Sequence, residues 1–446
     1  MTVPDAAGAL PPERLELRLV DAKPNYTQGE AIAEANRCLY CHDAPCVTAC
    51  PTGIDIPGFI RKIATDNVRG SAKRILSANL LGYSCARVCP VEVLCVGACV
   101  YNTWHRTPPI AIGRLQRYAT ESALDPGMGA ALFTKAPATA KKVACIGAGP
   151  ASLAAAGYLA LEGLAVTLFE RKPLPGGLNT AGIAPYKMHA HDAAREVEFV
   201  RSLGVTIRDG IEVGRDLPAG DLLRDFDAVY LGVGLGSDAQ LGVPGEDGPG
   251  VVGATAWIER LKLDPRLELG GIQRAVVIGG GNTSLDAARE LAQLGVREVT
   301  LVYRRTVSEM PGYAHELALA RREGVRLLEK ALPKEFARDS GGRLTALRFA
   351  DGRELACELA VIGIGQSKLR DLVPQLPGVK LDAKGLVVVD PLTGRTGNPR
   401  VYAGGDVLGG ELVVTAVQDA KRAVRAICAD LGVTLRLDAP VSAGHV

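Results

Sequence analysis

Four cysteines fall within thirteen residues, at Cys38, Cys41, Cys46 and Cys50, and Pro51 follows the last of them. A second group stands at Cys85, Cys89, Cys95 and Cys99, with Pro90 after Cys89, so eight of the eleven cysteines lie between Cys38 and Cys99. No other stretch restricts the possible folds as much. Short cysteine spacings closed by Cys-Pro are how a chain wraps an iron–sulfur cubane. Thiolate ligands must converge on a compact cluster, short loops supply the curvature, and the proline stops a helix from running through the site. Disulfides would call for an oxidising compartment and usually a small secreted domain, which a chain of 446 residues with no signal peptide does not suggest. Structural zinc usually shows two Cys-x2-Cys pairs, and only one is present, so zinc stands second. Unligated buried cysteines would not explain the clustering.

The length is enough for two or three domains, each with its own core. The formal net charge is +2, from 51 basic and 49 acidic residues, which gives no reason to expect a nucleic acid or another strongly charged partner. The first 21 residues carry Asp5, Glu13 and Glu16 where a secretory leader would have a basic and then an apolar stretch. No apolar run is long enough to span a bilayer. A reducing cytoplasm is therefore expected, and it suits thiolate-bound clusters.

Residues 1–122 read as an α-helical iron–sulfur domain. A helix entered near Thr27 delivers Cys38, a second covers 54–64 with Ile56, Phe59, Ile60 and Ile63 at helical spacing, a third covers 71–79, and another runs through Gln116, Tyr118 and Ala119. Residues 123–140, with Gly127, Gly129 and Pro137, read as a linker.

At Lys141 the pattern changes to strand, glycine turn, helix and strand. The apolar run 143–146 is a short buried strand, Gly147, Gly149, Pro150, Ala151 and Ser152 belong to the turn, 153–161 is a helix, and the strand 166–170 ends in Glu170. In this dinucleotide-binding unit Gly147 permits the turn and Gly149 lets the backbone approach a pyrophosphate, while the helix N-terminus offers free N–H groups to it. Glu170 is placed for a ribose hydroxyl. The third position of the glycine motif is Ser152, not Gly or Ala.

The unit recurs with a strand at 275–278, a turn holding Gly279, Gly281, Asn282, Thr283 and Ser284, a helix at 285–294 and a strand at 299–303. This one ends in Arg304 and Arg305, which suit a 2′-phosphate better than a bare ribose diol; the plainer alternative is two solvated arginines. Strands at 229–234 and 359–365 end on Gly234 and Gly365, and the strand after Val401 closes on Gly404, Gly405 and Asp406 before a helix over 414–431. The fold class expected is α/β, with two Rossmann-like domains, the second inserted in the first, behind the helical domain. The boundaries read are 141–268 with 372–446 for the first and 269–371 for the second.

This arrangement resembles the flavoprotein reductases with two dinucleotide-binding folds, in which the first binds FAD and the second NAD(P)H. Gly176, Gly177 and Leu178 match the loop those proteins set beside the flavin, and Gly405 with Asp406 their contact to the ribityl chain and phosphate. With the N-terminal cysteines added, nearly the whole chain resembles the family that holds the small subunit of glutamate synthase and the flavin half of dihydropyrimidine dehydrogenase. The stretch 110–118, containing Gln116, is similar to the dihydropyrimidine dehydrogenase pattern, where a glutamine is the fourth ligand of one cluster; the glutamate synthase subunit generally has a glutamate there. The resemblance implies two [4Fe-4S] clusters, one held by Cys38, Cys41, Cys46 and Cys99, the other by Cys50, Cys89, Cys95 and Gln116. Exchange of the last cysteine between clusters follows two-cluster ferredoxins. Cys85 is left over and competes with Gln116. Cys145, Cys357 and Cys428 sit in apolar stretches and are expected in the core.

The implied role is electron input, with a nicotinamide giving a hydride to FAD and the clusters passing single electrons to a partner. Cofactors carry such chemistry, so no side chain is assigned as acid, base or nucleophile. His189 and His191, in 179–200, read as part of a solvated or flavin-side loop. The implied partner is an FMN- and iron–sulfur-containing subunit that reduces uracil or thymine, in a hetero-oligomer, as in the bacterial two-subunit enzymes. Those enzymes lean to NAD, whereas Arg304 and Arg305 lean to NADPH. The rival readings are the glutamate synthase small subunit and, outside enzymes, a cluster-bearing scaffold with regulatory nucleotide sites.

Overall fold

The computed structural model describes residues 10–104, 108–368 and 371–436. Its N-terminal part is helical, and polar caps set where the helices start. Gln28–Ala35 begins at a capping box, in which the Thr27 side chain accepts from the Glu30 N–H and Glu30 accepts from the Thr27 N–H. Ile56–Ala64 is capped by Asp55, whose carboxylate accepts from the Gly58 N–H at 2.9 Å, and it buries Ile56, Phe59, Ile60 and Ile63 on one face. Val68–Ala78 starts three residues earlier than its apolar spacing suggested, because Asn67 caps it through the Gly70 N–H. Ile112–Glu121 follows as expected, but Gly82–Val88, which carries Cys85, is a helix that the cysteine spacing conceals.

Two parallel five-stranded sheets follow. The first has the order Val401–Ala403, Ala228–Leu231, Lys142–Ile146, Ala165–Phe169, Thr206–Arg208. The second has Val251–Gly253, Leu359–Ile362, Arg274–Ile278, Glu298–Val302, Arg326–Leu328. The second sheet lies within the sequence of the first, as the class expected from the sequence requires. It takes in Val251–Gly253 and buries Trp257 and Ile258 of helix Ala254–Leu263 in its core, so it draws on chain before residue 269. A three-residue strand is too short to show a period in the sequence. The chain passes between the sheets twice, and the two passages pair with each other: Gly236 N–H donates to Ser367 O and Ala239 N–H to Gly365 O. A third sheet, antiparallel, is built from Pro333–Arg338, Leu344–Phe349 and Glu354–Ala356 and had no counterpart in the sequence pattern.

Serine at the third motif position has a physical role in both units. Ser152 Oγ donates to Ile146 O at 3.2 Å, and a Cβ on Gly232 would stand 2.3 Å from that hydroxyl. Ser284 Oγ donates to Gly363 O at 2.8 Å, and a Cβ on Gly363 would meet it at 2.4 Å. In each unit the hydroxyl ties the helix to the sheet where glycine leaves room on the neighbouring strand.

The helical part and the first sheet share one core. Leu76, Leu80, Leu81 and Tyr83 pack in the same cluster as Val143, Ala154, Val417 and Ala420. The segment 123–140 lies along this core, with Leu124 and Leu132 buried and Phe133 meeting Phe199 at 6.5 Å between ring centroids. Residues 190–202, expected within a loop, form the helix Ala190–Ser202, whose Ala193, Val197 and Val200 face that core. Cys145, Cys357 and Cys428 are core residues, as expected.

Candidate redox-cofactor site

The chain turns sharply to gather the first group of thiols. Tyr40, between Cys38 and Cys41, adopts φ +51°, a left-handed conformation uncommon for a side-chain-bearing residue. Its hydroxyl donates to Ala35 O at 3.2 Å, which fixes the loop to the helix before it. Pro45 then starts the four-residue helix Pro45–Thr48, and Cys46 stands on its first turn. Cys38, Cys41, Cys46 and Cys99 line one small cavity together with Ile56, Ile60, Ile110 and Ile112. Burial raises the Cys38 thiol, and it pushes Cys46 up to about 12, with Cys38 and Cys99 adding to the effect.

A second group lies next to the first. Cys89 is raised by a side-chain hydrogen bond with Cys85 and by burial, with Cys50 and Cys95 adding charge. Cys95 is pushed up to about 12 by burial and by Cys50. Asn79 Nδ2 donates to Cys85 Sγ at 3.1 Å. Gln116 is buried and donates from Nε2 to Gly82 O at 2.7 Å, at the start of the helix that carries Cys85. Crowded, desolvated thiols resist ionisation without a positive centre among them. Soft sulfur donors in this number and closeness suit iron–sulfur clusters, and the residues present fit that group.

The first nucleotide turn is shaped for close backbone approach. Gly147 has φ +85°, and a Cβ there would come 2.8 Å from Gly232 O. Gly177 has φ +57°, and its Cβ would meet Gly149 Cα at 2.7 Å, so the loop 176–178 lies directly against the turn. Gly149 caps the helix Pro150–Leu161, with Pro150 at its first position, leaving the N-terminal N–H groups open to an anion. Ala151 is buried beside Gly405, since a Cβ on Gly405 would come 2.9 Å from the Ala151 methyl. The distant Gly405 and Asp406 are thereby brought to the same turn. Burial pushes Asp406 up to about 6, with Glu411 adding and Lys368 opposing. Glu170 accepts from the Ala148 N–H at 2.7 Å and the Lys172 N–H at 2.8 Å, which holds its carboxylate at the end of its strand. Leu178 is partly exposed beside Gly177. The cradle fits a dinucleotide such as FAD, with room that only glycine leaves.

The second turn repeats this design. Gly279 has φ +144°, and its Cβ would meet Gly363 O at 2.2 Å, while the space around Gly281 is open. Asn282 Oδ1 accepts from the Tyr313 N–H at 3.0 Å, and Thr283 follows in the first turn of helix Asn282–Gln293. Arg304 and Arg305 are exposed just past Glu298–Val302. Gly234 and Gly365 have φ +67° and +114°, and no atom lies within 4 Å of where a Cβ would stand on either, at the mouth of the paired passages between the sheets.

Other residues shape this region without a local signal in the sequence. Ser84 Oγ bonds the buried Glu196 and accepts from Asn179 Nδ2 at 2.9 Å, linking the helix of Cys85 to the short helix Leu178–Ala181. His189 is half-buried, and its Nε2 has no hydrogen-bond partner among the described residues, whereas His191 is exposed. Lys187 bonds Asp286 at 2.7 Å and Glu316 at 2.8 Å across the two sheets' units. No helix among the described residues is long and apolar enough to cross a membrane.

Comparison with known proteins agrees with this geometry. A family model described as dihydropyrimidine dehydrogenase domain II, 4Fe-4S cluster, matches residues 17–128. A second, described as pyridine nucleotide-disulphide oxidoreductase, matches residues 141–420. The chain is 34% identical over 412 residues to the NAD-dependent dihydropyrimidine dehydrogenase subunit PreT of Escherichia coli (strain K12), covering 92% of this chain and 96% of that one. It is 31% identical over 448 residues to the glutamate synthase [NADPH] small chain of the same organism, covering 92% and 94%. It is also 35% identical over 430 residues to the putative oxidoreductase UacF of that organism, covering 89% of this chain and 67% of that one. Thioredoxin reductase of T. acidophilum shares the fold, with a TM-score of 0.54 and 24% identity over 65% of this chain and 99% of that chain.

Proposed function

Since the chain belongs to the pyridine nucleotide-disulphide oxidoreductase family and carries an iron–sulfur domain ahead of that fold, we propose that it is the electron-input subunit of a cytoplasmic dihydropyrimidine dehydrogenase. It takes a hydride from NAD(P)H at FAD and delivers single electrons, through two [4Fe-4S] clusters, to an FMN-containing partner that reduces uracil or thymine. When bound, the flavin supplies the conversion from a two-electron donor to one-electron acceptors. The chain's own residues bind and orient. Gly147, Gly149 and the N-terminus of Pro150–Leu161 hold the pyrophosphate, Glu170 the ribose, and Gly177, Leu178, Gly405 and Asp406 the flavin end. Gly279, Gly281, Asn282 and Thr283 hold the nicotinamide dinucleotide, with Arg304 and Arg305 facing a 2′-phosphate. Gly234 and Gly365 leave the space between the two sites open.

The observation that carries the choice of dihydropyrimidine dehydrogenase over glutamate synthase is the bond from Gln116 Nε2 to Gly82 O. It engages the amide nitrogen and leaves the amide oxygen as the atom available to iron. A glutamate there would set a carboxylate against that carbonyl. The first cluster is assigned to Cys38, Cys41, Cys46 and Cys99, and the second to Cys50, Cys89, Cys95 and Gln116. The closeness of Cys85, which raises the Cys89 thiol, favours a second reading, in which Cys85 completes that cluster.

Anaerobic turnover with NADH or NADPH tests the function, with uracil as acceptor and a candidate FMN-containing subunit present or absent. Uracil reduction only with that partner is the expected result. Dye reduction without it, together with glutamate formation alongside a large glutamate synthase subunit, would replace this reading with the other.

A further inference from the structure

Lys421 stands in the middle of helix Val413–Asp430, which packs on Pro150–Leu161 in the first nucleotide unit. Its side chain points out of that unit into the helical part and is 2% exposed. Nζ donates to Thr52 O at 2.8 Å and to Ala78 O at 3.0 Å. Thr52 comes two residues after Cys50, and its hydroxyl lies 3.4 Å from the Cys50 sulfur. Ala78 ends its helix one residue before Asn79, which donates to Cys85 Sγ. One lysine from the first nucleotide unit therefore braces both backbone segments that flank the second cysteine group.

A buried ammonium is costly unless a negative group faces it. Lys421 forms no ion pair with a carboxylate among the described residues; burial pushes its ammonium down to about 7, Cys50 opposes that fall, and Arg425 adds to it. A thiolate-bound cluster on Cys50 would supply the missing charge and keep the lysine protonated. Such a cluster is anionic and gains one more negative charge, with no proton, when it accepts an electron. Net charge and hydrogen bonding around the sulfurs are what set cluster potentials. A fixed cation at this point favours the reduced form.

We infer that Lys421 is a positioning residue that raises the reduction potential of the cluster held by Cys50 and fixes that cluster against the flavin-binding unit. The inference rests on the reading of Cys50, Cys89 and Cys95 as cluster ligands. The test is an EPR-monitored redox titration of the anaerobically isolated holoenzyme, with iron and flavin contents measured alongside, for the natural chain, Lys421→Gln and Lys421→Arg. In Lys421→Gln one cluster becomes about tenfold harder to reduce at a given potential, equivalent to about 59 mV for one electron. The other cluster moves by less than a third of that, and Lys421→Arg restores the natural value. Both clusters present with no shift in Lys421→Gln, or an equal shift of both clusters, overturns the inference. If Lys421→Gln loses iron, loss of a single cluster with flavin retained supports it, and loss of both clusters or of the flavin overturns it. A natural chain that holds only one cluster defeats the ligand reading itself, which the first titration shows before any variant is compared.

Discussion

Lys262 donates from its ammonium to the main-chain carbonyl of Met188 at 2.9 Å, although the two residues belong to different nucleotide units. The same nitrogen bonds Asn179 O at 3.1 Å and Ile183 O at 3.0 Å, so its three donors meet three carbonyls of one segment, the short helix Leu178–Ala181 and the loop that follows it. The side chain is fully buried. That segment follows Gly177 and Leu178, which lie against the first nucleotide turn, so the second unit is fastened to the wall of the first unit's candidate site. Lys262→Met would leave three buried acceptors without donors, at about 1–3 kcal/mol each. Urea unfolding should show a loss of roughly 3 kcal/mol or more, together with weaker flavin retention; a variant as stable as the natural chain would show that the loop finds other donors.

Gly177→Val should empty the flavin site. The position combines φ +57° with a Cβ direction that ends 2.7 Å from Gly149 Cα. Substitution at such a backbone conformation costs more than about 1 kcal/mol, and here it also pushes the loop off the nucleotide turn. Flavin absorbance per chain after desalting measures the effect, and full flavin content would refute the assignment.

Glu196 gives a pH dependence with a definite sign. Burial pushes its carboxyl up to about 7 from an ordinary value of 4.5, against the lowering effect of the Ser84 hydrogen bonds. The folded chain therefore holds a proton there over a range in which the unfolded chain has released it. The stabilisation is full below about pH 4.5 and is lost as pH rises through about 7. Between pH 5 and 8 the natural chain should lose roughly 2–3 kcal/mol relative to Glu196→Gln, since each tenfold change in proton affinity corresponds to about 1.4 kcal/mol. Parallel denaturation curves for the two across that range would refute it.

Replacing Arg304 and Arg305 with alanine should separate the two nicotinamide nucleotides. Both side chains are exposed, so their removal costs little stability. Charged hydrogen bonds to a phosphate contribute about 1.5–3 kcal/mol, which corresponds to NADPH binding about 10- to 100-fold weaker. NADH binding should stay within about twofold. Equal effects on both would return the arginines to a purely solvated role.

The two candidates for the fourth ligand of the proposed second cluster are separable by iron content and EPR. Gln116→Ala should lose or alter one cluster, whereas Cys85→Ala should keep both. The opposite pattern would assign the ligand to Cys85, whose closeness raises the Cys89 thiol.

What the sequence revealed follows from how local each signal is. The strands Lys142–Ile146 and Arg274–Ile278 are short apolar runs followed at once by glycine turns, and a buried parallel strand needs no more than that. The cysteines announce their chemistry by spacing. The antiparallel sheet stayed hidden because its six-residue strands do not alternate apolar with polar residues: Lys334 and Glu335 stand together, as do Phe336 with Ala337 and Ala346 with Leu347, so no period of two shows. Gly82–Val88 was concealed because a cysteine spacing there reads equally as loop or helix. Lys262 and Lys421 look like polar-face residues of amphipathic helices; only the partner segment, 74 to 369 positions away in sequence, turns them inward. Asp406 was found because glycine precedes it, but its meeting with Ala151 depends on tertiary packing.

The core that Leu76, Leu80 and Tyr83 share with Val143, Ala154 and Val417 has a practical meaning for dissecting the molecule. Two family signatures divide the chain near residue 130, yet no cut there would release two self-sufficient halves. A fragment beginning at residue 141 would present to water the apolar wall that these helices cover, and it would be expected to aggregate. What inheritance treats as two modules, folding treats as one body.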